Sequence, residues 1–248
     1  MFPIPGAVLI HTFLETLGIL LAFGLYQRQR QQKVDPVSDK HRSFILIAAV
    51  FGAFLGSRLL GSLEHPGLFI QGGGSAGWAY YLLAKTIVGG LLGGLWAVEI
   101  TKRWLGIAQR TGDLYVYPLL LAMMIGRLGC FAMGVQEPTY GLPTSSWLGI
   151  DLGDGIPRHP TALYEFVVLG LIWIFLRLLQ RQYSLRSGRL FMLFMVCYLS
   201  YRFLIGFLQP MIKIGGLGAI QWACLAGLLW YIWDEQNGAG RSTTSVQP

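Results

Sequence analysis

Apolar runs separated by short polar loops recur seven times along the chain, at about 7–26, 43–63, 78–98, 114–134, 161–180, 189–209 and 217–233. Each is near the ~20 residues that a helix needs to cross a bilayer core. In hydrocarbon a helix satisfies its own backbone polar groups, which an isolated strand cannot do. The pattern predicts an all-α polytopic membrane protein with seven transmembrane helices. Residues 1–233 are expected to form a single integral membrane domain. Residues 234–248, ending in the small and polar NGAGRSTTSVQP, are expected to form a short disordered cytoplasmic tail. No Lys or Arg precedes the first apolar run (MFPIPGAVLI), so the first span is expected to be retained and not cleaved.

Loop charges orient the spans. Arg28, Arg30, Lys33, Lys40 and Arg42 follow span 1, Lys102, Arg103 and Arg110 follow span 3, and Arg177, Arg181, Arg186 and Arg189 lie in the segment 177–189 at the junction of spans 5 and 6. Arg241 lies in the tail, and the opposite side has only Arg158 and Lys213. Basic loops stay in the cytoplasm, which puts the N-terminus outside and the C-terminus inside. The same distribution explains the net charge of +7 as topology, so no nucleic-acid partner is expected. Charged residues make up only 12% of the chain and hydrophobic ones 54%. Cys130, Cys197 and Cys224 all fall in apolar runs, with neither disulfide-framework nor metal-ligand spacing. No metal and no cofactor is expected.

The ionisable residues inside the spans share one depth. His11, Glu15, Arg58, Lys85, Arg127, Glu165 and Arg202 all map to the outer halves of their helices. A guanidinium at a helix centre costs roughly 2.5–3.5 kcal/mol on insertion scales, and intramembrane charges therefore pair or line a cavity. Here four cations meet two carboxylates. The surplus positive charge at headgroup depth suits a phosphate, which Arg binds bidentately. Plainer roles stand beside this one. Arg58 and Arg202 can snorkel to the interface, Glu165 can serve only as an arginine's partner, His11 and Glu15 can form a local i, i+4 pair, and Lys85 can be a counter-ion for Glu15. Arg127 is the deepest and is flanked by Gly126 and Gly129, where a neighbouring helix or a ligand can approach the backbone. Two long outer segments complete the picture. One is Gly-rich (QGGGSAG, with Gly72–Gly74 a hinge for a lid), and the other, Val135 to Pro160, has the length of a functional loop.

Two motifs carry the chemistry: GRLGCFAMGVQEPTYG (Gly126 to Gly141) and RHPTALYE (Arg158 to Glu165). In the second, Pro160 suits a first helical turn, Thr161 is a cap for it, and Glu165 gains from the helix N-terminus. With the seven spans, these stretches resemble the prolipoprotein diacylglyceryl transferases. RHPTALYE is similar to that family's HPxxLYE motif, and Gly126–Gly141 to its GRxGNFxNxExxG signature. FLGSRLLG (Phe54 to Gly61) is similar to its Gly-Gly-Arg segment, and YRFLIGFLQP (Tyr201 to Pro210) to its Arg-Phe…Pro segment. Cys130 stands where the signature has Asn, and Glu137 lies farther from the GRxG core. Val88 replaces the third-span histidine, and Gln209 the arginine before the last Pro.

The resemblance implies an enzyme of the bacterial cytoplasmic (inner) membrane. Its activity is transfer of a diacylglyceryl group from phosphatidylglycerol to the lipobox cysteine thiol in a prolipoprotein signal peptide. It assigns Arg127 to the phosphate, with Arg58, Gly129, Gly141, Tyr164, Glu165 and Arg202 in substrate binding. Without the usual histidine, the base is drawn from His11, His159 and Glu137, and His11 shares a helix face with Glu15. Two other readings follow from the same residues. Cys130, one turn from Arg127, can be an acyl-carrying nucleophile of another lipid acyltransferase. A cationic pocket without a base can serve a non-catalytic phospholipid-binding protein.

Overall fold

The computed structural model describes residues 2–32, 38–64 and 84–241. Each of the seven expected segments contains a helix: α1 (Ala7–Gln31), α2 (Asp39–Glu64), α3 (Ile87–Trp104), α4 (Val116–Met133), α5 (Thr161–Gln182), α6 (Arg189–Ile205) and α7 (Ala219–Arg241). Among the described residues, five helical segments are long and apolar enough to cross a membrane: Ala7–Gln31, Lys40–Glu64, Gly112–Gln136, Thr161–Gln182 and Arg189–Leu208. Among the described residues the only strands are β1 (Ile150–Asp151) and β2 (Pro157–Arg158), an antiparallel pair in the loop before α5.

Several helix ends differ from expectation, each for a local reason. α3 starts at Ile87 and not at 78, because Thr86 caps it, its side chain accepting from Gly89 N at 3.2 Å. Residues 78–83, and the Gly-rich segment with its expected hinge, lie outside the described residues. α1 continues past 26 to Gln31, since Gln and Arg are good helix formers once the chain leaves the apolar run. α7 continues to Arg241, and residues 242–248 lie outside the described residues. Thr161 is not a cap. It is the first residue of α5, and its hydroxyl donates to the Thr139 carbonyl.

The chain divides into two compact units, Met1–Pro36 with Gln109–Pro210, and Val37–Ala108 with Met211–Pro248. In the first, α1 packs on α4, α4 on α5 and α5 on α6. α1 and α4 run antiparallel: Gly18 meets Ala122 and Ile125, Gly129 meets His11, and Tyr26 stacks on Tyr115 with centroids 5.1 Å apart. α5 shows how a helix that is apolar all round divides its faces. Thr161, Glu165, Leu169, Ile172 and Leu176 form a buried stripe at helical spacing. Val167, Leu171, Ile174 and Leu178 form an exposed apolar one, as expected for a helix bordering lipid. α6 is capped from a distance, by Asp113 of the 3-10 turn Gly112–Tyr115. Its carboxylate accepts from Gly188 N at 2.6 Å and Phe191 N at 2.9 Å.

In the second unit, α2 packs on α3, and both touch α7. Gly52 and Gly56 of α2 meet Gly89 and Gly93 of α3 backbone to backbone. A Cβ on Gly52 would lie 2.5 Å from the Gly93 oxygen, and one on Gly56 2.9 Å from the Gly93 Cα. Small residues at four-residue spacing on both helices allow this approach.

Candidate active site

Four helices of the first unit bring polar groups to one end. His11 is in the second turn of α1 and Glu165 is near the start of α5. Arg127 and Arg202 are near the ends of α4 and α6. Because these helices alternate in direction, residues at the beginnings of two and the ends of two share a level.

Glu165 is the centre. One oxygen, Oε1, is 2.9 Å from Arg127 Nη2 and accepts from the Tyr198 hydroxyl at 2.7 Å. The other, Oε2, accepts from Arg202 Nη1 at 3.1 Å. Arg127, Glu165, Tyr198 and Arg202 are all buried. Two guanidiniums thus share the Glu165 carboxylate. Among the described residues, Arg127 Nε and the Tyr201 hydroxyl are buried with no hydrogen-bond partner. Buried donors are rarely left unsatisfied, so an incoming anion with several acceptor oxygens fits here. Tyr198 was not anticipated from the sequence. Its signal is a hydroxyl four residues before Arg202, on the same face of an apolar helix.

Beside this cluster stands a second one. Arg127 Nη1 donates to Cys130 Sγ at 3.7 Å, and Cys130 Sγ is 3.8 Å from His11 Nε2. His11 Nε2 is also 3.6 Å from Glu15 Oε1, so the expected i, i+4 pair is present. A carboxylate oxygen of Glu137 joins them, and one ligand atom each of His11, Cys130 and Glu137 lie within 4.8 Å of one another. Spacing alone gave no metal-ligand set, because these residues come from α1, α4 and the turn after α4. Gly129 makes the approach feasible. A Cβ there would stand 2.8 Å from His11 Cδ2.

The other expected site residues take supporting positions. His159 Nδ1 is 3.2 Å from the Tyr164 hydroxyl. Gly141 packs on His159, its N–H donating to the His159 carbonyl at 3.0 Å, and a Cβ on Gly141 would lie 2.6 Å from that carbonyl oxygen. The loop 134–160 is tied down along its length. Val135 N donates to Leu152 O at 3.1 Å and Leu142 N to Leu208 O at 2.7 Å, and Arg158 bridges Asp154 at 2.7 Å. Gln209 is buried and donates to Thr139 O at 3.3 Å. That carbonyl also receives the Thr161 hydroxyl, so Gln209 ties the signature loop to the turn after α6 and Thr161 ties it to the start of α5. In the second unit, Arg58 Nη1 donates to Ala84 O at 3.0 Å, its guanidinium lies over the Phe54 ring, Lys85 is exposed, and Val88 is fully buried.

Outside the helices, Arg158 hydrogen-bonds Asp154 and holds its carboxyl below the usual carboxylate range, and the Ile156 N–H adds to the effect.

Comparisons with known proteins bear on the family of the chain. The family model described as prolipoprotein diacylglyceryl transferase matches residues 1–233. The phosphatidylglycerol–prolipoprotein diacylglyceryl transferase of Paracidovorax citrulli is 28% identical over 273 residues, covering 94% of each chain. The protein of that name from Polaromonas sp. is 28% identical over 275 residues, covering 94% of this chain and 92% of its own. The one from Leifsonia xyli subsp. xyli is 32% identical over 175 residues, a match that covers 62% of this chain and about half (51%) of the relative. With the buried arginine–glutamate cluster formed by its signature motifs, the chain belongs to the prolipoprotein diacylglyceryl transferase family.

Proposed function

We propose that this chain transfers a diacylglyceryl group from phosphatidylglycerol to the lipobox cysteine thiol of prolipoproteins, at the outer face of the bacterial cytoplasmic membrane. Its seven helices span that membrane with the N-terminus outside, as the loop charges support. The observation that carries the reading is the pair of buried guanidiniums sharing the single Glu165 carboxylate, with Arg127 Nε unfilled among the described residues.

Arg127 binds the lipid phosphate, held in place by Glu165, and Arg202 adds positive charge. Arg58 is assigned to the phosphate from its motif alone. The acceptor sulfur forms a C–S bond to the glyceryl methylene, the C–O bond to phosphate breaks, and glycerol phosphate leaves with the electron pair. Arg127 stabilises the charge that develops on that phosphate. The acceptor reacts as a thiolate, and His11, Glu137 and His159 are the groups available to take its proton.

The test is complementation of a strain depleted of its diacylglyceryl transferase, with lipidation of a signal peptide by the purified protein. Rescue is expected from the wild type and not from Arg127→Ala. Phosphatidylglycerol binding without rescue or lipidation would favour the non-catalytic alternative. A second reading draws on Cys130 lying between His11 and Arg127: this thiol itself carries a lipid acyl group. Mass spectrometry of protein incubated with phospholipid, with an acyl adduct on Cys130, would establish it.

A further inference from the structure

The chain lacks the third-span histidine of its family, with the buried Val88 in its place. It has instead a feature that the family signature does not contain: a thiol at 130, brought against an imidazole and a carboxylate. We propose that His11, Cys130 and Glu137 bind a zinc-type divalent cation whose remaining position takes the acceptor thiol as a thiolate.

The donor set argues for the ion. Thiolate, imidazole and carboxylate together suit a borderline-soft cation. Zn–S of about 2.3 Å and Zn–N of about 2.0–2.1 Å set a tetrahedral edge near 3.6 Å, and His11 Nε2 to Cys130 Sγ is 3.8 Å. All three donor atoms lie within 4.8 Å of one another, so small inward shifts complete the set. Three protein ligands leave a position open, the arrangement of catalytic rather than structural zinc.

The surroundings fit as well. The Cys130 thiolate and the Glu137 carboxylate neutralise a dication. The extra negative charge of an incoming thiolate then falls beside Arg127, whose Nη1 is 3.7 Å from Cys130 Sγ. A recess with room for about one water molecule lies next to Cys130, lined by Phe131, Gly134, Thr139, Leu152 and Thr161. The Gly129 contact is what lets α1 bring His11 in.

The role follows from metal chemistry. A thiol that coordinates such an ion loses its proton outright. The acceptor R–SH becomes metal-bound R–S⁻ and its proton passes to solvent. The sulfur then attacks the glyceryl methylene, as in the transfer above. The binding of the ion stands on this geometry alone. The activating role rests on the transferase reading.

The experiment uses the full chain in detergent micelles, stripped with a chelator and titrated with Co²⁺ as a spectroscopic probe for Zn²⁺. One ion per chain is expected, with near-ultraviolet thiolate-to-cobalt absorption that Cys130→Ser abolishes. His11→Ala should weaken binding by more than roughly 10–100-fold, the loss that follows removal of a group that only hydrogen-bonds a ligand. Zn²⁺ should protect Cys130, and not Cys197, from alkylation, a readout on the wild type that needs no variant to fold. Chelation should abolish lipidation and Zn²⁺ should restore it. Absence of Co²⁺ binding, or binding unchanged in Cys130→Ser, overturns the site. Lipidation that persists in metal-free protein overturns the activating role and leaves the transferase reading intact. Metal bound at Cys130 with no lipidation in any preparation overturns the activating role together with the transferase reading, while the site stands.

Discussion

Replacing Glu165 by Gln removes one negative charge from a place where two positive ones converge. In the wild type the carboxylate meets Arg127 at 2.9 Å, Arg202 at 3.1 Å and Tyr198 at 2.7 Å. The amide keeps one acceptor oxygen, but its NH2 group must face a guanidinium or the tyrosine hydroxyl, donor against donor. The two arginines are then buried without a countercharge between them. Breaking a buried ion pair by removing one partner costs about 3–5 kcal/mol. For a chain of this length each kcal/mol moves the melting temperature by about 2–4 °C, so Glu165→Gln should melt roughly 6–20 °C lower. Tyr198→Phe, which removes one hydrogen bond to a charged group, should cost about 1.5–3 kcal/mol. Tryptophan fluorescence during a thermal ramp in micelles reads both, as the chain has eight tryptophans. Lipidation measured on the same samples should fall further for Glu165→Gln than for Tyr198→Phe, since only the former releases Arg127. A Glu165→Gln protein with the melting temperature and activity of the wild type would show that the carboxylate does not hold the two arginines.

Other outcomes follow from the same geometry. Arg127→Lys keeps the charge but cannot reach Glu165 and Cys130 together, so lipidation should fall at least about tenfold, the equivalent of ~1.4 kcal/mol, while phosphatidylglycerol binding measured by native mass spectrometry weakens. Gly129→Ala places a methyl group 2.8 Å from His11 Cδ2 and should cost about 1–3 kcal/mol by overpacking, read in the same thermal assay. Asp113→Ala removes the carboxylate that accepts from Gly188 N and Phe191 N. It should lose about 0.5–2 kcal/mol, with faster amide exchange confined to the first turn of α6. The Asp154 carboxyl is held below its ordinary range by Arg158, so its contribution to loop order is fully present above the ordinary aspartate range. That contribution is lost as pH falls through the lowered value. Amide exchange at Ile156 should stay constant from neutral pH down to about pH 5 and rise below about pH 4, after correction for intrinsic rates. Asp154→Asn should remove that step.

The helices were legible because a bilayer demands apolar runs of a set length, and α2, α4, α5 and α6 announce themselves in that way. The start of α3 was not, because a single threonine hydroxyl decides where the helix begins inside a continuous apolar and glycine-rich stretch. The depth of the charged residues was readable from their distance to the helix ends, and it placed Arg127 and Glu165 at one level. Which arginine Glu165 would meet was not readable. Depth says nothing about how each helix is turned about its axis, and Arg202 lies on a separate helix 37 residues away. The convergence of His11 and Cys130, 119 residues apart, escaped for the same reason. Gly129, one residue before Cys130, marked a place where a helix can come close, but not that α1 would be the one to bring His11 there. Thr161 was misjudged as a cap because a threonine beside a helix start has two uses, and here its hydroxyl closes the loop onto Thr139.

The Gly52–Gly56 and Gly89–Gly93 contact in the second unit has a consequence for movement. Where side chains separate two helices, rotamer changes allow one to slip past the other. Here carbonyls and α-carbons meet directly, and nothing between them can swing aside. α2 and α3 must therefore tilt, rise or rotate together as one rod.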